Sequence, residues 1–263
     1  MTSIDVSPRS TTITPSGLYV ETWGEGTPVV FVHGSLAVGD DEWQTQAPLA
    51  QEGFSLTVYD RRGYGRSASA VGEDFLVDAD DIIDLMGDGA HLVGHSYGGL
   101  GVLLAAARCP EKTLSITVLE PAAGSIALHE PAWNALAGQV ADMWTSDASD
   151  AKWVVDFLTA VGSDPDELGP ELLASAESLV PVVRQGRPFL NVEVPLAELA
   201  AARFPKLVVS GGHHRGFDAM CSYLAEAIGG TYAVAEGAGH EVQFTGPVVN
   251  ELMLSMWRSA ANG

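Results

Sequence analysis

The 263-residue sequence has few basic residues and no long apolar run. It holds 13 Lys and Arg against 34 Asp and Glu, which gives a formal net charge of −21. Because phosphate contacts need clustered Lys and Arg, this balance argues against nucleic acid as a partner and disfavours strongly anionic substrates. No stretch approaches the length of a membrane span, and residues 1–20 lack the basic start and apolar core of a signal peptide. We therefore expect a cytoplasmic protein without membrane contacts.

Cysteine and cofactor motifs are also scarce. The two cysteines, Cys109 and Cys221, predict small buried apolar residues rather than a disulfide, because the count is low and no export signal is present. Neither a G-x-x-x-x-G-K-[ST] motif nor a complete G-x-G-x-x-G motif occurs. His91 and His95 have a helical metal spacing, but on the predicted strand they would lie about 13 Å apart. We expect no cofactor and no metal.

Apolar runs alternate with helical patterns along most of the chain. Val29–Val32 and Ile116–Leu119 are apolar on both faces, as is typical of a parallel sheet with helices on each side. From about Pro121 to Pro205 only helical patterns occur, at 131–144, 151–161 and 170–179. We predict an α/β core of residues 1–121 and 205–263 with an eight-stranded, mostly parallel sheet, and an inserted helical cap at 122–204. The predicted strands, of which the first two form an antiparallel edge, are Thr11–Ile13, Leu18–Trp23, Pro28–Val32, Leu56–Tyr59, Ala90–Val93, Leu114–Leu119, Leu207–Ser210 and Thr231–Val234.

The acid-rich stretch from Glu73 to Asp88 predicts one amphipathic helix. Four aspartates fall at helical spacing, opposite an apolar face, so we expect them on a solvated surface. A calcium loop would need alternating acids, a central glycine and a distant glutamate, which this stretch does not have. The four aspartates are Asp78, Asp81, Asp84 and Asp88.

The segment Gly94-His95-Ser96-Tyr97-Gly98 places a serine in a G-x-S-x-G frame. Chance alone supplies such a frame in roughly one sequence in four, so the pattern gains meaning only from its context. A short apolar strand precedes it, and a small-residue helix that ends before Pro110 follows it. In such a strand-to-helix turn, glycine at the flanking positions lets neighbouring backbone pass close by. The order of elements therefore predicts that Ser96 is a nucleophile on a sharp strand-to-helix turn.

A serine hydroxyl needs a histidine base and a carboxylate that orients the histidine. In open α/β sheets the site lies at the carboxyl ends of the strands, so the partners are sought just after predicted strands. His240 follows the last strand in a glycine-rich loop and is the predicted base. Glu120 directly follows the strand Leu114–Leu119 and is the preferred acid. Asp218, in the first turn of a predicted helix, is the alternative acid.

The turn that follows the third predicted strand is a candidate oxyanion site. It reads His33-Gly34-Ser35, and the backbone N–H groups of Ser35 and Tyr97 could together face a developing oxyanion. We expect the Ser35 side chain to have no role and His33 to brace the turn. An apolar cap and an acidic exterior predict a neutral, fairly hydrophobic substrate, although any one cap aromatic more often packs onto the core than lines a pocket. The expected pocket residues are Gly34, Trp133, Trp144, Trp153 and Phe157.

These motifs resemble those of the α/β-hydrolase superfamily. The shared features are the His33-Gly34 turn, the Asp60–Ser67 loop, the Ser96 turn and the Gly239-His240 loop, and they cover nearly the whole chain outside the predicted cap. The resemblance implies an eight-stranded core, Ser96 as nucleophile, His240 as base and a cap over the pocket. His214 occupies the usual position of the acid.

With the acid at Glu120, the sequence resembles the zearalenone lactonases and some haloalkane dehalogenases in the position of that residue. The dehalogenases and epoxide hydrolases of the superfamily use an aspartate nucleophile, so Ser96 argues against both activities. We predict a serine hydrolase that cleaves an ester or lactone through an acyl-enzyme, with a small molecule as its only partner. The alternatives are a C–C bond hydrolase or thioesterase with the same triad, and a ligand-binding receptor that turns over slowly or not at all. Perhydrolase or haloperoxidase chemistry would be a side reaction, and the oligomeric state is not specified.

Overall fold

The computed structural model describes residues 10–237 and 239–260, which form one sheet with helices on both faces. Residues 1–9 of the stretch inspected for a signal peptide, Ala238 of the predicted histidine loop and residues 261–263 lie outside the described residues. The strands are β1 Ser10–Ile13, β2 Tyr19–Trp23, β3 Thr27–Val32, β4 Phe54–Tyr59, β5 Ala90–His95, β6 Thr113–Leu119, β7 Lys206–Ser210 and β8 Thr231–Val234. The α-helices are α1 Gly39–Trp43, α2 Phe75–Leu85, α3 Ser96–Arg108, α4 Pro131–Met143, α5 Asp150–Val161, α6 Pro165–Arg184, α7 Leu196–Ala201, α8 Arg215–Ile228 and α9 Pro247–Ala260.

The sheet has the strand order β1-β2-β4-β3-β5-β6-β7-β8. β2 pairs antiparallel with β1 and with β4, and the remaining strands pair in parallel. This confirms the predicted eight-stranded α/β sheet with an antiparallel edge. Along β3, Val30 and Val32 pack in one core layer while Val29 and Phe31 pack in the other, because successive side chains of a strand point to opposite faces. The apolar run therefore reflects burial on both faces.

The acid-rich helix α2 differs from the prediction. Asp78 and Asp81 are buried, each about 3% exposed, whereas the other two predicted aspartates are exposed. Arg61 Nη1 donates to Asp78 Oδ2 at 2.8 Å, and Arg62 Nε donates to Asp81 Oδ2 at 2.7 Å. The prediction of a fully solvated face was wrong because helical spacing cannot show arginines that come from the preceding loop.

Between β6 and β7, residues 121–205, all of which the structure describes, contain helices joined by loops and no strand. α6 is longer than predicted and contains a kink at Gly169, where φ is 73°. The short helix α7 was not predicted. α4 and α5 bury aromatic side chains, among them Trp133 and Trp153, in the same apolar cluster as the residues that follow β5 and β6. This helical segment therefore packs over the carboxyl ends of the central strands.

Five parallel strands bring their carboxyl ends to the same edge of the sheet. The residues that follow β3, β5, β6, β7 and β8 carry the candidate site, so the candidate catalytic groups meet at this edge.

Among the described helices, none is long and apolar enough to cross a bilayer. Cys221 is buried as expected, but Cys109 is partly exposed, and both thiols are free.

Candidate active site

Ser96 lies at the first position of α3, directly after β5. Its φ of 48° is in the left-handed region, which is uncommon for a residue with a side chain. A Cβ on Gly98 would overlap the carbonyl oxygen of His33, and a Cβ on Gly94 would lie 2.7 Å from Val102 Cγ2. Both glycines are therefore required where α3 crosses β3 and β5 at close range. The local sequence explains the sharp turn that holds Ser96 at the strand end.

The structure brings Ser96, His240 and Glu120 together in one hydrogen-bonded chain. His240 Nε2 is 2.9 Å from Ser96 Oγ, and His240 Nδ1 is 2.8 Å from Glu120 Oε2. Phe217, which was not predicted in the site, stacks on the His240 ring with centroids 4.5 Å apart. If Nδ1 is protonated and donates a hydrogen bond to Glu120, Nε2 has a free lone pair. It can then accept the proton of the Ser96 hydroxyl. This geometry is that of a nucleophile, base and orienting acid.

Glu120 is fully buried at the end of β6. Its backbone also has a positive φ, 40°, which turns the carboxylate toward the strand end of β7. Oε1 accepts a hydrogen bond from the Gly211 N–H at 2.7 Å, and His213 Nδ1 lies 3.4 Å from the same oxygen. Burial raises the pKa of the Glu120 carboxyl to about 8, because removal from water disfavours the charged form. Burial and then the nearby His95 lower the pKa of His240.

The alternative acid lies elsewhere. Asp218 Oδ1 accepts a hydrogen bond from Ser210 Oγ at 2.6 Å, and the residue lies in the first turn of α8, where a carboxylate is favoured by the helix N-terminus. His214, at the usual acid position of the family, accepts from the Gly216 N–H at 3.0 Å and caps α8. The contact of His240 is therefore with Glu120 and not with Asp218.

The turn after β3 is held in place by hydrogen bonds from a buried arginine, Arg61. Arg61 N donates to His33 Nε2 at 2.8 Å, so His33 Nδ1 carries the proton and donates to the Gly34 carbonyl, also at 2.8 Å. Arg61 Nη2 donates to the same carbonyl at 3.0 Å and to Glu73 at 2.9 Å. The Ser35 hydroxyl also donates to Glu73 at 2.9 Å, so the expectation of an idle side chain was wrong. These bonds fix the backbone of the turn beside Ser96.

A mainly apolar cavity, the first chamber, opens on one side of Ser96. Its lining is predominantly hydrophobic and aromatic with a few polar groups, as is typical of small-molecule sites. Trp133, Trp144 and Phe157 line it as predicted, together with Ser35 and Tyr97. The remaining described lining residues are Ser96, Ala122, Leu136, Ala137, Val140, Val161, Phe189, Phe217 and His240.

Two expected pocket residues are not in this lining. Trp153 is fully buried one layer behind it, where its ring stacks on Phe157 at 5.1 Å and its Nε1 donates to the Met143 carbonyl at 3.0 Å. Gly34 is packed against His95 and Ser96 and contributes backbone to the turn rather than surface to the chamber. Sequence identifies aromatic residues of the helical segment, but it does not show which of two packed rings faces inward.

A larger cavity, the second chamber, opens on the other side of the same serine. It shares Ser35, Ser96, Phe157 and His240 with the first chamber. Its polar members differ, because Asp41, Glu42, Glu241 and Gln243 belong only to the second chamber. Its other described lining residues are Leu36, Ala37, Val38, His95, Leu158, Leu172, Ser175, Ala176 and Phe244. Ser96 therefore lies between an apolar space and a partly acidic one.

A model of the alpha/beta hydrolase family matches residues 29–251. The chain belongs to this family. A non-heme chloroperoxidase from Kitasatospora aureofaciens is 40% identical over 88 residues, which are 31% of this chain and 32% of the relative. A bifunctional esterase/perhydrolase from Acinetobacter calcoaceticus is 36% identical over 109 residues, 39% of this chain and 40% of the relative. The matches thus span less than half of either relative.

A solved structure extends the likeness to the whole fold. The 2-hydroxy-6-oxo-6-phenylhexa-2,4-dienoate hydrolase from Rhodococcus sp. strain RHA1 superposes with a TM-score of 0.74 over 95% of this chain and 100% of that chain. The two sequences are 19% identical, so this likeness shows the fold alone. The superfamily resemblance seen in the sequence is confirmed.

This member of the family also has a second buried acid–histidine pair that was not predicted. Glu42 accepts from the Gly34 N–H at 3.0 Å and lies 3.0 Å from His95 Nδ1. His95 Nε2 lies 3.0 Å from the carbonyl oxygen of His240. Glu42 stands in an Asp-Asp-Glu-Trp run that reads as a solvated acidic patch, so no signal in the sequence marks it. The pair connects the turn after β3 to the loop that carries His240.

Proposed function

We propose that this protein is a cofactor-independent serine hydrolase that cleaves a carboxylic ester or lactone through an acyl-enzyme. The observation that carries the proposal is the unbroken path from Glu120 through His240 to Ser96, which ends where two chambers meet. A hydroxyl, an imidazole and a carboxylate in this order supply nucleophile, base and orienting acid.

The geometry supports the following sequence of steps. Ser96 Oγ attacks the acyl carbonyl while His240 Nε2 takes its proton, and the Glu120 carboxylate stabilises the resulting imidazolium. The N–H groups of Ser35 and Tyr97 face the developing oxyanion, Tyr97 from the first turn of α3, where N–H groups lack partners within the helix. His240 then protonates the leaving oxygen. Water, activated by the same histidine, attacks the acyl-enzyme and releases the acid.

The chambers favour ester or lactone cleavage over the hydrolysis of an anionic dienoate. The Rhodococcus hydrolase is named for a dienoate, which carries a carboxylate group. A carboxylate that is buried in a binding site requires a cationic partner. The described residues that line the two chambers here include no Lys or Arg. A small to medium, apolar acyl or alcohol group suits the first chamber, whose walls are mainly aliphatic and aromatic.

The helical segment supports the predicted division of the chain. α4 and α5 supply Trp133 and Phe157 to the roof of the first chamber, whereas Ser96 and His240 come from strand ends below it. We therefore propose residues 122–204 as a cap and residues 1–121 and 205–263 as the catalytic core. The cap excludes water from the site and selects the substrate.

Fluorophosphonate labelling tests the role of Ser96. The wild-type protein should be labelled at one site and should hydrolyse p-nitrophenyl butyrate, while Ser96→Ala should do neither and keep its circular dichroism spectrum and urea midpoint. Labelling of a folded Ser96→Ala protein would contradict the proposal. A burst of one equivalent without further turnover would instead support the receptor alternative.

A further inference from the structure

The His213 imidazole lies between the end of a cap helix and the carboxylate of Glu120. Its Nε2 is 2.9 Å from the carbonyl oxygen of Val161, the last residue of α5. Its Nδ1 is 3.4 Å from Glu120 Oε1 and, among the residues that the structure describes, has no hydrogen-bond partner. A carbonyl oxygen only accepts hydrogen bonds, so Nε2 carries a proton. The protonation of Nδ1 therefore decides what the Glu120 carboxylate faces.

The His213 ring is seated against the C-terminus of α5. Gly162 ends this helix with a φ of 85°, and a Cβ on it would lie 2.5 Å from His213 Cδ2. A residue with a side chain would be strained in this conformation and would also displace the imidazole. Because the C-terminal carbonyl groups of a helix carry partial negative charge, this position favours a cation. Only 13% of the His213 side chain is exposed, so water screens its charge little.

An ionised Glu120 gives His213 an acceptor at each ring nitrogen. Glu120 Oε1 also accepts from the Gly211 N–H at 2.7 Å, and Oε2 lies 2.8 Å from His240 Nδ1. These donors favour the carboxylate over the neutral carboxyl, and a carboxylate at Oε1 favours a proton on His213 Nδ1. Burial raises the pKa of Glu120, and the positive charge of His213 is the first of the neighbouring influences that lower it. Geometry and charge thus describe an imidazolium that faces a buried carboxylate.

The other titratable groups near His213 come from α8, the loop before α8 and the loop after β8. The two acids among them accept hydrogen bonds from serine hydroxyls, each at 2.6 Å. Burial lowers the pKa of the two histidines among them, which favours their neutral form. Glu120 is therefore the anion that faces His213. These other groups are Asp218, Glu241, His214 and His240.

We propose that His213 is a positioning residue, whose imidazolium pairs with Glu120 and favours the carboxylate that the hydrolysis needs. The Val161 carbonyl holds the ring in place through Nε2, and Glu120 Oε2 stays free to orient His240. The inference rests on the proposed serine hydrolysis, in which an ionised Glu120 stabilises the imidazolium of His240. Because Val161 also lines the first chamber, the contact links the wall of the substrate site to the charge of the acid.

The pH dependence of kcat/KM for p-nitrophenyl butyrate tests this role. His213→Gln keeps an amide that can donate to the Val161 carbonyl but removes the positive charge, so the pKa of Glu120 should rise. Catalysis needs the carboxylate, so the acid limb of kcat/KM should move to higher pH by about one unit. Above the limb, kcat/KM should return to within about threefold of the wild type. A fall by the same factor at every pH would show a merely structural contact and would overturn the inference.

Two further variants separate the charge of His213 from its shape. His213→Lys places a positive charge at the same position, and its acid limb should lie within about 0.3 pH unit of that of the wild type. His214→Asn is the matched control, because it removes the adjacent imidazole and keeps an acceptor that caps α8, so its limb should not move. A limb of His213→Lys that coincides with that of His213→Gln would contradict the role of charge, as would an equal shift in His214→Asn.

Protein stability gives a second readout that needs no substrate. The difference in unfolding free energy between the wild type and Glu120→Gln reports the ionisation of Glu120, because the glutamine cannot titrate. Urea unfolding measures the same difference in the His213→Gln background, where its fall with rising pH should be displaced upward by about one pH unit. Coincident curves in the two backgrounds would mean that His213 does not influence the charge of Glu120.

The two readouts separate this inference from the proposed function. If esters are hydrolysed but the acid limb is the same in the wild type and in His213→Gln, the positioning role is overturned and the serine hydrolase is retained. If no ester is hydrolysed, the hydrolase proposal fails, and the stability curves alone decide the pairing. An upward displacement of the curve would then support the pairing of His213 with Glu120, and no displacement would overturn it.

Discussion

Two buried glutamate–histidine pairs lie side by side in this molecule and have opposite electrostatic character. Glu120 and His240 are joined at 2.8 Å, Glu42 and His95 at 3.0 Å, and the two imidazole rings are 4.7 Å apart. Burial lowers the pKa of His240 well below its usual value. Burial would lower that of His95 as well, but the Glu42 carboxylate and the His240 carbonyl raise it. The same two residue types therefore disfavour the protonated imidazole at His240 and favour it at His95.

The difference follows from what the second ring nitrogen contacts. His240 Nε2 faces the Ser96 hydroxyl, which can donate to a neutral ring. His95 Nε2 faces a backbone carbonyl, which only accepts, and its Nδ1 faces the Glu42 carboxylate at 3.0 Å and the Gln243 side-chain amide at 3.4 Å, so these contacts favour a proton on both nitrogens. A histidine between two acceptors is thus a structural cation, whereas one between a carboxylate and a hydroxyl can exchange its proton. The comparison separates a positioning pair, Glu42 and His95, from the proposed catalytic pair, Glu120 and His240.

The largest expected effect distinguishes the two carboxylates offered as the acid. Glu120→Gln should lower kcat by about 10³- to 10⁴-fold, because an amide in place of the carboxylate no longer stabilises the imidazolium or fixes its tautomer. Asp218→Asn, whose carboxylate accepts from Ser210, should stay within about threefold of wild type. Steady-state hydrolysis of p-nitrophenyl butyrate measures both. A collapse in Asp218→Asn alone would transfer the role to Asp218.

Stability as a function of pH should also reveal the buried Glu120. Its pKa in the folded protein, about 8, lies above the value of about 4.5 for an unperturbed glutamate, so the native state binds the proton more tightly than the unfolded state. The contribution of Glu120 to stability is therefore present below pH 4.5 and is lost as the pH rises through 8. Relative to Glu120→Gln, the wild type should lose roughly 4 kcal/mol of unfolding free energy between pH 4.5 and 9.

Urea unfolding of the two proteins at several pH values measures this loss. His240 is present in both, so its own titration largely cancels in the difference. A difference that is constant with pH would show that Glu120 is ionised in the folded protein at every pH tested. In that case the hydrogen bond from Gly211 and the neighbouring His213 would stabilise the Glu120 carboxylate by more than the free-energy cost of burying its charge.

The sequence predicts the first pair and not the second for a physical reason. The carboxyl ends of parallel strands lie at one edge of the sheet, so residues just after predicted strands were expected to meet there, with Glu120 preferred over Asp218 as the partner of His240. Glu42 lies on α1, and its partner is on β5; helical and strand periodicities describe neighbours along the chain and do not report contacts across it. The error at Asp78 has the same origin, because its partner Arg61 is on a loop.

Breaking the positioning pair should cost stability more than activity. Glu42→Gln removes a charge from a carboxylate about 3% exposed and leaves His95 with an unpaired cation or an unmet acceptor, so we expect a loss of about 3 kcal/mol in unfolding free energy. Asp80→Asn breaks an ion pair of 2.8 Å with Arg108 on the surface and should cost less than about 1 kcal/mol. Urea denaturation at pH 7 compares them. Equal losses of unfolding free energy would show that burial does not make the Glu42–His95 pair contribute more to stability than the surface pair Asp80–Arg108.

The smallest effect concerns how the two pairs communicate. The His95 cation lowers the pKa of His240 and also that of Glu120, because a nearby positive charge disfavours the protonated imidazole and favours the carboxylate. Replacing both members of the positioning pair, as in Glu42→Gln/His95→Gln, removes this charge without leaving a buried ion alone. The acid limb of kcat/KM should then move to higher pH by about one unit.

The direction of that shift is the informative part of the measurement. Both His240 and Glu120 must be deprotonated for catalysis, and the loss of the cation raises both pKa values, so the limb moves upward whichever group controls it. If kcat falls but the acid limb of kcat/KM stays at the same pH, His95 acts only by holding the loop through the backbone carbonyl of His240. A downward shift would mean that His95 is neutral in the folded protein, and the contrast between a fixed cation and an exchangeable base would fail.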